Sequence, residues 1–268
     1  MKISCIITTR DRCDMVLQAI ASATAQKGGS PEIVVVDDGS VDGTQKHIKK
    51  NYPAAKLIRL SGLGPGPARN AGVAAADGDV LMFLDSDDIW LVDHLDVLRN
   101  TLSKGFQVAY GTTTNIDKIN GGNFLIPDNG QGPGGNIFSQ LLRWCFLVPS
   151  SFAVHRRAFD QTDGFPTGDL ADDWAFFLHL ARRHHFGFAG PEPITLRYLH
   201  EGSQCAIHNH EAVLTTLRRM AEDLDDESIH AASIHCRINE LEKWTIDQQQ
   251  EWATVQEWYC DLKKDGMV

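Results

Sequence analysis

EIVVVDDGS, residues 32–40, runs one isoleucine and three valines together and then breaks into two aspartates, a glycine and a serine. An unbroken β-branched run marks a parallel strand buried on both faces, where no position has to alternate with water. Its abrupt acidic end marks the rim of the sheet. Upstream, KISCIITT (2–9) reads as a short strand and MVLQAIASATAQ (15–26) as the helix that joins the two. Downstream, GSVDGT makes a turn, a short helix runs through Lys50, and KLIRL (56–60) is a third strand. A Gly/Pro-rich connection then leads to an Ala-rich helix near 67–76, a fourth strand at DVLMFLD (79–85) and a helix at HLDVLRNTLS (94–103). Strand–helix alternation of this kind predicts an α/β fold, an open and mostly parallel Rossmann-like sheet flanked by helices with right-handed crossovers.

The totals narrow the class. At 268 residues the chain is long enough to bury a sizeable core, and 43% hydrophobic with 22% charged residues is ordinary for a globular protein. A formal net charge of −10, from 35 acidic against 25 basic residues, argues against a nucleic-acid binder working through a broad basic surface. Six cysteines lie scattered without a CxxC pair, which points to a reduced, cytoplasmic protein. The first residues read directly into a strand rather than a signal peptide, and no run approaches the ~18 apolar residues of a transmembrane segment. Peripheral contact with a membrane stays open.

After Gly111 the pattern becomes irregular. NGGNFLIPDNGQGPGGN (120–136) is expected to be a mobile loop, WAFFLHLARRHH (174–185) an amphipathic helix, and PITLRYLH (193–200) a strand entering another polar cluster. From about residue 209 the chain reads as an acidic helical tail carrying Trp244, Trp252 and Trp258, a candidate homodimer element.

In an open parallel sheet, ligands bind beyond the carboxyl ends of the strands. Thr8, Thr9 and Arg10 end the first strand, Asp37 and Asp38 the second, and Asp85, Asp87 and Asp88 the fourth. Five carboxylates are therefore expected around one crevice, a costly arrangement unless cations or hydrogen-bond donors offset it. Hard oxygen ligands at that density suit Mn²⁺ or Mg²⁺, which take one or two carboxylates and complete their shell with phosphate and water. Each cluster also has a plain structural use. DDGS is turn chemistry, and an Asp of DSDD (85–88) can cap the following helix. SGLGPGPARNAG (61–72) mimics a dinucleotide fingerprint, but Pro67 replaces the third glycine and two prolines remove N–H groups from the phosphate cradle. A Rossmann dehydrogenase is rejected, while Arg69 and Asn70 stay candidates for a nucleotide contact.

Taken together, IITTRDR, VVVDDGSVDGT, GPARNAG, FLDSDDIW, DDWAFFLHLAR (172–182) and LHEGSQC (199–205) resemble, in order, the motifs of a family 2 glycosyltransferase with the GT-A fold. The resemblance covers roughly residues 3–205. It implies a glycosyltransferase domain over 1–208, with a nucleotide-binding half to about 110 and an acceptor-binding half after it, and a helical extension over 209–268. It also implies that Thr8, Arg10 and Asp38, with Asp37 beside them, meet the nucleotide base, and that Asp85, with neighbouring Ser86, faces the ribose and sugar. By the same resemblance Asp87 binds the metal on the diphosphate, Asp173 is the catalytic base, and Asp172 and Trp174 border the acceptor. His200 stands where a histidine near metal and phosphates is common, although a surface histidine reads equally well there.

The implied reaction is an inverting, metal-dependent transfer from a nucleotide-sugar, most often a UDP-sugar, to the hydroxyl of a glycan, lipid-linked, peptide or small-molecule acceptor. Two positions depart from the family pattern: Asp172 replaces the usual Glu, and Arg10 stands where an aromatic residue is common. A nucleotidyltransferase of the same fold class is the first competing reading, but ITTRDRCDM lacks its Gly-rich phosphate loop. A non-catalytic nucleotide-sugar-binding relative is the second.

Overall fold

The computed structural model describes residues 1–167, 172–200, 210–222, 231, 232 and 234–243. Trp244, Trp252 and Trp258, residues 168–171 and residues 201–205 of the LHEGSQC segment lie outside them. The chain divides into two units, Met1–Gln204 and Cys205–Val268.

The first unit carries a nine-stranded sheet. In chain order its elements are β1 (Ile3–Thr9), α1 (Cys13–Thr24), β2 (Glu32–Asp37), α2 (Thr44–Asn51), β3 (Lys56–Arg59), α3 (Pro65–Ala75), β4 (Val80–Asp85), β5 (Asp88–Trp90) and α4 (His94–Leu102). Then follow β6 (Val108–Asp117), β7 (Asn123–Ile126), α5 (Phe138–Arg143), β8 (Phe152–His155), α6 (Arg156–Phe159), α7 (Asp172–Ala181) and β9 (Phe186–Leu199). The strand order is β3-β2-β1-β4-β8-β6-β9-β5, with β7 paired to β6. Pairing is parallel from β3 through β4 and antiparallel at β4–β8, β6–β8, β5–β9 and β6–β7, with β6–β9 parallel. The parallel half anticipated from the sequence is therefore joined to a second half of mixed direction.

Register sets the site. Thr9 pairs with Asp37 and Thr8 with Asp85, so the C-terminal ends of β2, β1 and β4 form one rim. Alternate residues divide the core. Cys5, Ile7, Val35, Met82 and Leu84 pack with Val16 and Ile20 of α1 and with Leu95 and Leu98 of α4. On the opposite face α3 lies so close to the sheet that a Cβ on Gly72 would sit 2.4 Å from Ile6 Cγ2. Phe83 meets Phe165 edge-on at 5.1 Å, and Phe165 stacks on Phe176 of α7 at 4.0 Å. Each such buried ring is worth about 1.5–3 kcal/mol, enough to hold the start of α7 against the parallel half.

Three expectations are corrected. The plain use of an Asp of DSDD as a cap on the following helix does not hold, because Asp88–Trp90 form the edge strand β5 paired with β9 and α4 begins only at His94; three residues are too few for any period to show. The stretch 120–136 is not simply a mobile loop. Asn123–Ile126 pair with β6, Tyr110 Oη donates to Pro133 O at 2.6 Å, and Gly135 and Phe186 exchange backbone hydrogen bonds. Helix α7 stops at Ala181 rather than continuing to His185, because Phe186 already starts β9.

In the second unit α8 (His210–Glu222) and residues 234–243 are helical, and Arg218 pairs with Glu242 at 2.7 Å. No helix among the described residues is long and apolar enough to cross a membrane.

Candidate functional site

The rim loops are tied down by their own carboxylates. Asp37 is fully buried and accepts from the Ser40 N–H at 2.9 Å and from the Gln45 side chain, so it serves the turn that follows β2. Asp38 accepts three successive backbone N–H groups, Gly62 at 3.0 Å and Leu63 and Gly64 at 2.8 Å each. Gly62 and Gly64 both have φ near +90°, which glycine adopts freely and an L residue only at a cost, and the loop curls its donors onto one carboxylate. Arg10, exposed, lies against the same loop, with its Nη1 3.2 Å from where a Gly62 Cβ would stand. Thr8, half-buried, lies between Val36 and Asp85 in the register. The residues expected at a nucleotide base thus do gather, around a rim that Asp38 builds from beneath.

Arg69 is the hub between the two halves. It sits on α3 with its side chain 7% exposed, and Nη2 meets Asp85 Oδ1 at 2.8 Å while Nη1 meets Asp172 Oδ2 at 3.1 Å. Its guanidinium also lies 5.3 Å from the Phe165 ring centre. The next residue, Asn70, spends its side-chain amide on the chain itself. Its amide donates to Phe165 O at 2.7 Å and accepts from Phe165 N–H at 2.9 Å, which docks the segment before α7 onto α3. Gly66 completes that contact, since a Cβ there would stand 2.2 Å from Pro166 O and 3.0 Å from Asp172 Oδ2.

The electrostatics separate the acids. Burial alone pushes Asp85 up, but Arg69, helped by Arg197 and Arg12, outweighs it and holds the carboxyl below its usual range. Asp172 goes the other way: burial dominates, Arg69 only partly offsets it, Asp173 adds repulsion, and the pKa rises to about 6. Asp173, half-buried one residue on, is also raised by burial, with Arg69 and Arg197 working against the rise. Asp172 is fully engaged, accepting from Arg69 and from the Asp173 N–H at 2.8 Å. Trp174 anchors the helix start by donating Nε1–H to Leu141 O at 2.7 Å.

At the other side of Asp85 the DSDD turn fans out. Ser86 is buried. Asp88 points inward to accept from Ser150 Oγ, and burial together with Asp85 lifts its pKa well above the carboxylate range. The same hydroxyl accepts the Asp85 N–H at 3.0 Å, so Ser150 fixes the turn from within. Asp87 turns out of the sheet, and its Oδ2 meets both Arg12 Nη1 at 2.8 Å and His200 Nε2 at 3.1 Å. Of the five acids expected around one crevice, Asp37 and Asp88 are spent inward and Asp38 on the rim loop. Asp85 and Asp87 remain at the crevice, joined by Asp172 and Asp173 from a helix nearly ninety residues further along.

Sequence reasoning passed over Arg12, Ser150 and Arg197. Arg12 stands three residues after the end of β1, two beyond Arg10, and is legible in hindsight. Arg197 faces Asp88 across β5 and β9, and its charge bears on Asp85, Asp88 and Asp173. Ser150 carried no local signal.

Residues 4–162 match the description Glycosyl transferase family 2. The chain belongs to that family. A relative in Nostoc, an uncharacterized glycosyltransferase, is 34% identical over 172 residues, spanning 60% of this chain and 53% of its own. The family 2 chain described here covers about half of that relative and about a third of Rickettsia relatives. Among solved structures, Staphylococcus aureus TarS 1–349 in complex with UDP-GlcNAc superposes with a TM-score of 0.70 at 20% identity, over 90% of this chain and 71% of that one. The mannosyltransferase PcManGT from Pyrobaculum calidifontis, in complex with GDP-Man and Mn²⁺, gives 0.62 at 17% identity, over 88% and 69%. Both likenesses concern the fold, which is GT-A, a mixed α/β sheet flanked by helices.

Proposed function

We propose that the chain transfers a sugar from a nucleotide-sugar to an acceptor hydroxyl with inversion, using Asp173 as the base. The observation that carries this reading is the Arg69 bridge, which gathers Asp85 of the parallel rim and the Asp172–Asp173 pair of α7 around one guanidinium. A donor on the rim and an acceptor at α7 would then meet between them. Asp173 accepts the proton of the attacking hydroxyl, and its raised pKa makes it a stronger base than a free carboxylate. Asp172, held by Arg69 and by the Asp173 backbone, orients that base. Arg10, Thr8 and the Asp38-built loop offer the base and ribose their contacts.

Asp87 and His200 fit a divalent ion, Mn²⁺ or Mg²⁺, because a hard carboxylate oxygen and an imidazole nitrogen meet at 3.1 Å. Such an ion supplies charge to offset that developing on a departing diphosphate. UDP is the first candidate nucleotide, supported by the TarS complex, and GDP the second, supported by PcManGT. The acceptor is a hydroxyl on a glycan, lipid-linked, peptide or small-molecule carrier.

Calorimetric titration of UDP and of GDP, with and without Mn²⁺, into the wild-type protein and Asp87→Asn tests the donor half. Mn²⁺-dependent binding of one nucleotide, lost in the variant, is expected. If neither nucleotide binds under any condition, the reading fails.

A further inference from the structure

The turn after β1 is built with unusual care for three residues. Asp11 has φ +50°, a left-handed conformation uncommon outside glycine that aspartate tolerates when local hydrogen bonds hold it. The surroundings are on both sides of it: the Asp11 N–H donates to Ser40 Oγ at 2.9 Å, and Asp11 Oδ1 accepts the Val41 N–H at 2.7 Å. Cys13 N–H donates to Asp42 Oδ2 at 3.1 Å, closing the tie from the far side. What the turn presents is Arg12, whose Nη1 stands 2.8 Å from Asp87 Oδ2 in a pair whose side chains are 27% and 12% exposed. The bonds that fix the turn come from residues 40–42, and the side chain that reaches Asp87 from it is Arg12.

A fixed cation on the carboxylate that suits a divalent ion is an unexpected choice. The guanidinium repels a dication drawn to Asp87, and at Oδ2 it occupies the same lone pairs. It would become an asset once a diphosphate is present, because a planar, permanently charged guanidinium suits phosphate oxygens in a way that a carboxylate cannot.

We propose that Arg12 is a counter-ion shared in turn by two partners, holding Asp87 against a lone divalent ion and passing to the donor's diphosphate when ion and nucleotide enter together. Arg12 thereby couples the two binding events: the ion alone binds weakly, the nucleotide alone binds weakly, and each strengthens the other. The competition for Asp87 stands on the geometry alone, whereas the transfer to diphosphate rests on the nucleotide-sugar reading above.

The test is calorimetry on wild type, Arg12→Gln and Arg12→Lys, with equal thermal midpoints required of all three as a folding control. Mn²⁺ alone is expected to bind Arg12→Gln about tenfold more tightly than wild type, with Arg12→Lys in between. At saturating Mn²⁺, UDP or GDP is expected to bind Arg12→Gln about tenfold more weakly, with the corresponding monophosphate unchanged. An Mn²⁺ affinity equal within twofold in wild type and Arg12→Gln, or undetectable in both, overturns the competition. If Arg12→Gln tightens Mn²⁺ and still binds diphosphate and monophosphate as wild type does, the transfer is overturned. Tighter Mn²⁺ with no nucleotide bound by any protein would leave the competition standing and count against the donor reading instead. A variant with a lowered midpoint is replaced by Asp11→Gly, which keeps Arg12 and relaxes the turn, and which should shift Mn²⁺ affinity in the same direction.

Discussion

Strands β3, β2, β1 and β4 run in parallel and end at one rim, whereas β8, β6, β9 and β5 pair mostly antiparallel and contribute functional groups from mid-strand or from a helix start. In the parallel half each strand end lies within a few residues of the side chain it places: Arg10 and Arg12 after β1, Asp38 after β2, Asp87 after β4. In the other half the placement is made at a distance. Ser150 reaches the DSDD turn from the segment before β8, Arg197 from inside β9, and Asp172 through a guanidinium 103 residues upstream. One half carries its chemistry as local motif; the other acquires it only by packing. Contacts that cross between them should accordingly be where single substitutions cost most.

The sharpest break is at the proposed base. Asp173→Asn is expected to lower transfer, or the slow hydrolysis of a nucleotide-sugar where no acceptor is present, by about 10²–10⁴-fold while leaving nucleotide binding intact. Equal loss of both would mean that α7 belongs to the donor pocket, and the division between halves would fall.

Next comes the hub. Arg69→Gln strands Asp85 and Asp172, and removing one partner of a buried ion pair costs roughly 3–5 kcal/mol of stability, readable by urea unfolding. The same change has a signed effect on rate. On the proposed mechanism Asp173 works unprotonated, so rate should climb as pH rises through its pKa; Arg69 holds that pKa down, and its loss should move the acid limb to higher pH. An unmoved limb would remove Arg69 from the electrostatics of the base.

A smaller effect should follow at the inner end of the DSDD turn. Ser150→Ala leaves the Asp85 N–H and the Asp88 carboxyl without their shared hydroxyl, at a cost of about 1–3 kcal/mol. Unchanged stability together with unchanged nucleotide affinity would show that β4 sets the turn without help from the second half.

This division also explains what could be read from the letters. The alternation of β1 to β4 with their helices was legible because β1, β2 and β4 are buried along almost their whole length and read as apolar runs, and the rim acids were legible because strand ends are local. Asp37 and Asp88 misled for the same reason. An aspartate at a strand end looks alike whether it turns outward or, as these two do, bonds Gln45 and Ser150 inside. The second half was opaque because β5 and β7 have only three and four residues, and because β6 and β9 are held by pairing across about eighty residues of sequence rather than by a local period. Arg69 was noticed as a cation near a nucleotide, but its bond to Asp172 depends on how α3 and α7 meet, which no spacing encodes.

The pair of hydrogen bonds between the Asn70 amide and the Phe165 backbone, with the bare α-carbon of Gly66 against Pro166, has a consequence for inheritance. Exchanging second halves between relatives is an obvious way to diversify acceptors while keeping a donor, in nature or by gene shuffling. Here the seam of such an exchange does not lie where the sheet changes direction. Residues 66, 69 and 70 belong to the incoming partner's lineage as much as residues 165, 166 and 172 do. A hybrid gene cut at the middle of the sheet would separate parts that were fitted to one another, whereas one that carries α3 along with the second half would keep them matched.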